Sequence, residues 1–245
     1  MKITQYSLPA GFRMRIAVTA DFHARSGDMK TEAISALLER EKPDMILAPG
    51  DFFNNAHEKS VRECYNSQGL ELLSKMADIA PVYYSVGNHE HGLTAENREI
   101  LQSAGVTVLD NEIVRRGNLA IAGLTSGYTC PKQEYDHEPV PDLSVIPGFT
   151  ETSGYRILLC HHPEYWSRYL SDKAIDLTVS GHAHGGQWRI GSRGVYAPGQ
   201  GLFPKYVGGL YHGENGTLCV SRGMRNTVKI PRFFNPCEIV ILDLI

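Results

Sequence analysis

Five short apolar runs in this 245-residue chain each end in a small group of Asp, Asn, His and Gly. Arg15-Ile16-Ala17-Val18-Thr19 leads into Asp21-Phe22-His23, and Met45-Ile46-Leu47-Ala48 leads into Gly50-Asp51. Val82-Tyr83-Tyr84-Ser85-Val86 leads into Gly87-Asn88-His89-Glu90. Arg156-Ile157-Leu158-Leu159-Cys160 leads into His161-His162-Pro163, and Leu177-Thr178-Val179-Ser180 into Gly181-His182-Ala183-His184. Short continuous runs of β-branched, aliphatic and aromatic residues read as strands covered on both faces. Polar groups placed just past such strands gather at the carboxyl edge of an α/β sheet. Gly50, Gly87 and Gly181 fit turns that need positive φ or a close approach of backbone. One such segment is weak evidence; five in series, which must meet in space, favour one domain spanning residues 1–245.

Between the runs the spacing turns helical. Ala33, Ile34, Leu37 and Leu38 share one helical face, which Pro43 ends. Val61, Cys64, Tyr65, Leu72, Leu73 and Met76 mark a second helix closed before Pro81. Residues 95–104 read as a third, with Gly105 as its C-terminal cap. This βαβ order implies parallel strands joined by right-handed crossovers. The second half alternates short β-like runs at 106–109, 119–124, 156–160, 177–180, 195–197, 217–220 and 238–244 with Gly/Pro-rich loops. The expected class is α/β, with two packed mixed sheets flanked by helices. The polar stretch 125–154 is long for a connecting loop, and loops of that length often form lids or substrate walls.

Apolar residues make up 42% of the chain, ample for a core, and the net charge is −3. No polybasic run points to nucleic acid. The five cysteines are scattered without a C-x-x-C pair, which suits a reducing compartment. Cys160, beside His161, reads as a small buried residue rather than a ligand. The start of the chain lacks an apolar signal core and no run is long enough to span a bilayer, so a cytoplasmic location is expected. Leu8-Pro9-Ala10-Gly11-Phe12 reads as a packed extension in preference to a membrane contact, although peripheral membrane association stays open.

The series D-x-H, G-D, G-N-H-E, H-x-P and G-H-x-H resembles the motif set of calcineurin-like metallophosphoesterases, from Asp21 to His184. Gly185-Gly186-Gln187 and the run from Tyr196 to Phe203 resemble a bacterial phosphodiesterase branch that includes UDP-diacylglucosamine hydrolase-like and cell-envelope enzymes. The resemblance implies a four-layer α/β/β/α sandwich and two divalent metals about 3.5–4 Å apart. It places Asp21, His23 and His184 on one metal and Asn88, His161 and His182 on the other, with Asp51 shared. The mixed nitrogen and oxygen set suits Mn, Fe, Zn or Co better than Mg or Ca. His89 is the implied proton donor to the leaving group, its tautomer held by Glu90 or a backbone carbonyl. His161 rather than His162 is the expected ligand, and Asn54 is expected beside the ligands. The glycines at 185 and 186 could turn N–H groups toward phosphate or simply form a turn; Phe203, Lys205, Tyr206 and Arg222 could line the pocket or pack elsewhere.

The implied activity is hydrolysis of a phosphodiester or nucleotide pyrophosphate, by a hydroxide bridging two metals, on a small-molecule or lipid-linked substrate. A protein-phosphatase pattern would carry Arg soon after Asp51, and Asn54-Asn55 stand there instead. Phosphomonoester hydrolysis is the alternative chemistry. A non-catalytic scaffold on the same fold is the other, disfavoured because no motif residue is missing.

Overall fold

The computed structural model describes residues 1–24, 31–54, 56, 58–63, 68–129, 138–226 and 230–245. The first half runs β1 (Lys2–Leu8), β2 (Met14–Val18), α1 (Thr31–Glu41), β3 (Met45–Pro49), α2 (Gln68–Ile79), β4 (Val82–Ser85), α3 (Ala95–Ser103) and β5 (Val106–Val108). The second half continues with β6 (Ile113–Arg116), β7 (Leu119–Leu124), α4 (Val145–Thr150), β8 (Tyr155–Cys160) and β9 (Leu177–Ser180). Two short ladders follow, β10 (Arg189–Ile190) with β11 (Arg193–Gly194) and β12 (Tyr196–Ala197) with β13 (Gly201–Leu202). The described chain closes with β14 (Gly209–His212), β15 (Thr217–Val220) and β16 (Glu238–Leu244).

These strands make two six-stranded sheets, ordered β1-β16-β2-β3-β4-β5 and β14-β15-β9-β8-β7-β6. β2 through β5 are parallel, and so are β7, β8, β9 and β15. Both sheets are mixed. β16 runs antiparallel to β2, while β6 and β14 run antiparallel at the edges of the second sheet.

Each sheet is covered on both faces, which explains why its central strands read as unbroken apolar runs. Ile16, Val18, Leu47 and Tyr83 of the first sheet meet Ile121, Ile157, Leu159 and Val179 of the second. On its outer face the first sheet sets Ala17, Ile46 and Tyr84 against Ile34 and Leu38 of α1, Leu72 and Met76 of α2 and Leu101 of α3. The second sheet sets Ala120, Leu158 and Leu218 against Val145, Ile146 and Phe149 of α4 and against Trp166 and Leu170 in a single π-turn. Each such aliphatic or aromatic side chain contributes about 1.5–3 kcal/mol on full burial. The sheets therefore hold their strand ends, where the polar motifs sit, on a close-packed base.

Several expectations need adjustment. Ala33 is exposed; α1 buries Thr31, Ile34, Ser35 and Leu38. α2 begins only at Gln68, and Val61 lies in a turn whose N–H donates to Asn97 Oδ1 at 2.8 Å. Cys64, Tyr65, Asn55, His57, Cys130 and His137 lie outside the described residues. α3 is capped by Thr94, which accepts from the Asn97 N–H, and Gly105 follows its end at φ +84°. The stretch 125–154 contains α4, so it is not one irregular loop. β1, β6 and β14 were illegible because they are edge strands with interrupted burial and no apolar run. The N-terminal extension packs as expected: Leu8 is buried and the Phe12 ring stands edge-on to Tyr155 at 5.4 Å.

Candidate metal centre

Parallel strands of both sheets deliver the motif residues to one edge. Asp21 follows β2, Asp51 follows β3 and Asn88 follows β4; His161 follows β8 directly, and His182 and His184 follow β9. Asp21, His23 and His184 offer ligand atoms within 4.8 Å of one another, and so do Asp51, His161 and His182. Asp51 Oδ2 stands between the two sets, 3.5 Å from His23 Nε2 and 3.1 Å from His161 Nε2. A further set joins His23, Asp51 and His89.

Backbone geometry at these positions is costly. Asp21, His23, Asp51, His182 and His184 all have φ between 46° and 64°, a left-handed region that side chains with a Cβ seldom adopt. Such a residue costs on the order of 1–3 kcal/mol and persists only where its surroundings fix it. The motif glycines make room for this. A Cβ on Gly87 would stand 2.3 Å from Asp51 Oδ1, and one on Gly181 would stand 2.7 Å from Asp21 Oδ2. Gly50 has φ +87° and lies against the Gly87 backbone, where a Cβ would meet N at 2.6 Å.

Hydrogen bonds aim the ligands. Asp51 Oδ1 accepts from the His89 N–H at 2.9 Å, leaving Oδ2 for the cluster. Asp21 Oδ1 accepts from the His182 N–H at 3.0 Å. His161 Nδ1 donates to the Pro49 carbonyl at 2.7 Å, so Nε2 faces Asp51. The buried Glu90 accepts from the backbone N–H of Asp51, Phe53 and Gly87 at 2.7–2.9 Å. Glu90 or a backbone carbonyl was expected to hold His89; instead Asn54 Oδ1 does, accepting from His89 Nδ1 at 2.9 Å. Asn54 also lies 3.5 Å from His23 Nδ1, as its expected place beside the ligands requires.

Titration follows from this crowding. Burial pushes His23 and His184 down to about 3. Burial also opposes a charged His161, but the Asp51 carboxylate outweighs it and raises His161 to about 10. Asp51 in turn is held well below the carboxylate range, since His161 and its neighbours overcome the effect of burial. Burial, followed by the Asp51 charge, raises Glu90 to about 7.

The donor set fits divalent cations. Among the described residues, Asp21 Oδ2, His23 Nε2, Asp51 Oδ2, Asn88 Oδ1 and His161 Nε2 are buried side-chain atoms without a hydrogen-bond partner. Buried polar atoms are rarely left so, and cations would satisfy all five. Cys160 takes no part; its thiol donates to the His162 carbonyl at 3.4 Å, and burial raises its pKa.

The N–H groups of Gly186, Gln187 and Trp188 bond to Ala183, His184 and Gly186 carbonyls, so this segment is a closed turn and not a phosphate cradle. Phe203 and Lys205 are exposed, Tyr206 is buried in the outer core, and Arg222 pairs with Glu238. The arginines that reach the cluster are ones the motifs did not indicate. Arg232 Nη2 lies 3.0 Å from His184 Nδ1, and Arg225 Nη1 lies 3.4 Å from the His23 carbonyl. Glu164, also not indicated, has Oε1 3.6 Å from His182 Nε2. Arg225 and Arg232 lie in segments without a motif, and Glu164 begins the helical turn after His161-His162-Pro163 but matches no motif position.

The calcineurin-like phosphoesterase family model matches residues 14–186. A metallophosphoesterase of Aquifex aeolicus is 32% identical over 97% of this chain and 87% of its own. Phosphodiesterase YaeI of Escherichia coli K12 is 28% identical over 88% of this chain and 75% of its own. The metallophosphoesterase Cj0846 of Campylobacter jejuni is 32% identical over 83% of this chain, which spans only 51% of it. The fold is shared with a dimetal phosphatase from Danio rerio, at a TM-score of 0.51, 11% identity and coverage of 86% and 87% of the two chains. With its motif residues gathered at one sheet edge, the chain belongs to the calcineurin-like phosphoesterase family.

Proposed function

We propose that this protein is a metal-dependent phosphoester hydrolase that uses two metals and acts on phosphodiesters or nucleotide pyrophosphates. Asp51 Oδ2 carries the reading, because one carboxylate oxygen faces a ligand of each set. Asp21, His23 and His184 would hold one cation, Asn88, His161 and His182 the other, with Asp51 on both. Such a pair supplies Lewis acidity at phosphoryl oxygens and acidifies water toward neutral pH. The protein's own contribution is charge and aim. Asp21 and Asp51 offset half the charge of two dications, so an anionic phosphoester is still attracted. His89 is exposed and donates from Nδ1 to Asn54, which leaves Nε2 to deliver a proton to the departing oxygen. The Escherichia coli relative named a phosphodiesterase favours the diester.

Protein loaded with Mn²⁺ should carry two equivalents by elemental analysis, and Asp51→Asn should lose most of the second. Bis(p-nitrophenyl) phosphate should turn over faster than p-nitrophenyl phosphate at equal metal and pH. Full activity with one metal would sink the two-metal reading; a preference for the monoester would sink the diester reading.

Among diesters, one surface favours a lipid-linked substrate. Eight of the twelve exposed large apolar residues among those described lie between Trp188 and Phe234, just past the last ligand. Phe203 and Phe234 are 78% and 87% exposed, and both are held at φ +52°. Of the seven Lys or Arg in residues 185–236, Arg193 and Lys205 are exposed, whereas Arg222, Arg225 and Arg232 are turned inward. An exposed apolar stretch that also carries two exposed cations suits an acyl chain with an anionic head group. Anionic phospholipid vesicles should sediment the protein, and Phe203→Ser with Phe234→Ser should abolish this; no binding to the vesicles removes the lipid reading. No helix among the described residues is long and apolar enough to cross a membrane.

A further inference from the structure

A second layer of side chains lies behind the ligands of the second sheet. His161 and His162 are adjacent but point apart, their rings nearly perpendicular at 89°. His162 is fully enclosed. Its Nε2 lies 2.8 Å from Ser126 Oγ and its Nδ1 lies 3.2 Å from Glu164 Oε1. Tyr128 and Tyr165 stack on the ring at 5.5 and 4.7 Å. Both nitrogens thus have partners, and stacking fixes the ring plane.

Glu164 Oε1 is the hub of this layer. Besides His162 Nδ1 it faces His182 Nε2 at 3.6 Å, and the two imidazole rings lie 4.2 Å apart. Glu164 is 3% exposed. A Cβ on Gly199 would stand 2.1 Å from Glu164 Oε1, so only glycine there lets the loop close over the carboxylate. Arg168 pairs with Glu138, whose Oε1 lies 3.6 Å from His162 Nδ1, so the layer extends outward to a cation. His162 and the Gly199 loop restrain Glu164, whose Oε1 faces His182 Nε2 just beyond hydrogen-bond length.

We propose that Glu164 is a positioning residue that holds the Nε2–H tautomer of His182, leaving Nδ1 as the donor to the metal shared with Asp51, Asn88 and His161. This rests on the ligand assignment proposed above. A histidine that ligates through one nitrogen needs its other nitrogen protonated and anchored, and an anchoring carboxylate supplies both orientation and basicity. His162 and Ser126 are the support for that carboxylate, which is why a second histidine stands beside a ligating one.

The test uses the full chain in two measurements. Long-range ¹H–¹⁵N spectra of the metal-free protein should show His182 as the Nε2–H tautomer, and Glu164→Ala should shift it toward Nδ1–H. Mn²⁺ titration by calorimetry should show one site unchanged in Glu164→Ala and the other weaker by about 10- to 100-fold, with Glu164→Gln between. A merely structural role would weaken both sites together and leave the tautomer alone, which overturns the proposal. An Nδ1–H tautomer in the wild-type protein overturns it without reference to metal, and needs no variant to fold. Three Mn²⁺ equivalents in the wild type, with one lost in Glu164→Ala, also overturn it, since Glu164 would then be a ligand. Failure of the two-metal reading alone would appear as one equivalent bound with the Nε2–H tautomer and its Glu164 dependence intact.

Discussion

Two buried glutamates stand behind the metal centre, one in each half, and they act on different parts of the chain. Glu90 of the first half accepts three backbone N–H groups, from Asp51, Phe53 and Gly87. Glu164 of the second half touches side chains, His162 and His182. The ligands differ in the same way. The first sheet supplies Asp21, Asp51 and Asn88 with one histidine; the second supplies imidazoles alone. Carboxylates on short side chains are aimed by fixing the backbone, whereas an imidazole needs its far nitrogen fixed. The lesson is that support follows the geometry of the ligand it serves.

The largest expected effect tests the backbone half of this contrast. Glu90→Ala leaves three buried N–H groups unpaired, at about 1–3 kcal/mol each, so a loss on the order of 5 kcal/mol is expected in urea unfolding of metal-free protein. A loss below about 1 kcal/mol would show that Glu90 does not organise the turn. The next effect is on rate. His89→Ala should retain metal yet lower kcat/KM by on the order of 10²–10⁴ for aliphatic-alcohol leaving groups, and far less for p-nitrophenolate. Equal losses for both would remove His89 from proton transfer.

Two glycine variants sharpen the comparison between ligand sets. Gly87→Ala pushes on Asp51, which faces both sets, and Gly181→Ala pushes on Asp21, which faces one. Each should cost about 1–3 kcal/mol of stability from crowding, but Gly87→Ala should weaken both metals and Gly181→Ala chiefly one. The same metal loss from both would contradict a shared Asp51. The smallest effect is a proton count. His161 is raised to about 10, so it is protonated at pH 8, whereas His23 and His184 at about 3 are already neutral. Ligation needs the free imidazole, so binding at pH 8 should release about one proton and strengthen as pH rises toward 10. Calorimetry in buffers of different ionisation enthalpy reads this number, and His161→Asn should release none.

The motifs were legible because each strand end holds its ligands within a few residues, so the chain order already contains the cluster. The central strands were legible for a related reason: Ile16, Leu47 and Leu158 belong to runs covered on both faces. The arginines were not, because nothing in their own neighbourhood fixes where they go, and Glu164, although next to His161-His162-Pro163, stands at no motif position. Arg232 reaches His184 across 48 positions, and its flanks carry no period or spacing that says so. Asn54 was placed beside the ligands, but the partner of His89 was sought in Glu90 or a backbone carbonyl, since which group meets His89 depends on how two turns face each other.

The placement of β16 has a consequence for how the protein is made. This strand lies between β1 and β2, so residues 238–244 complete the middle of the first sheet after every ligand has been synthesised. Asp21 stands at the end of β2, whose edge stays unpaired on that side until β16 arrives. During translation the earlier strands can collapse, but these pairings span more than 220 positions and close slowly, as pairings of high contact order do. An emerging chain therefore has its histidines and aspartates in reach of ions before their geometry is set. Asp21 therefore takes its final setting only once a strand made long after it has paired with β2.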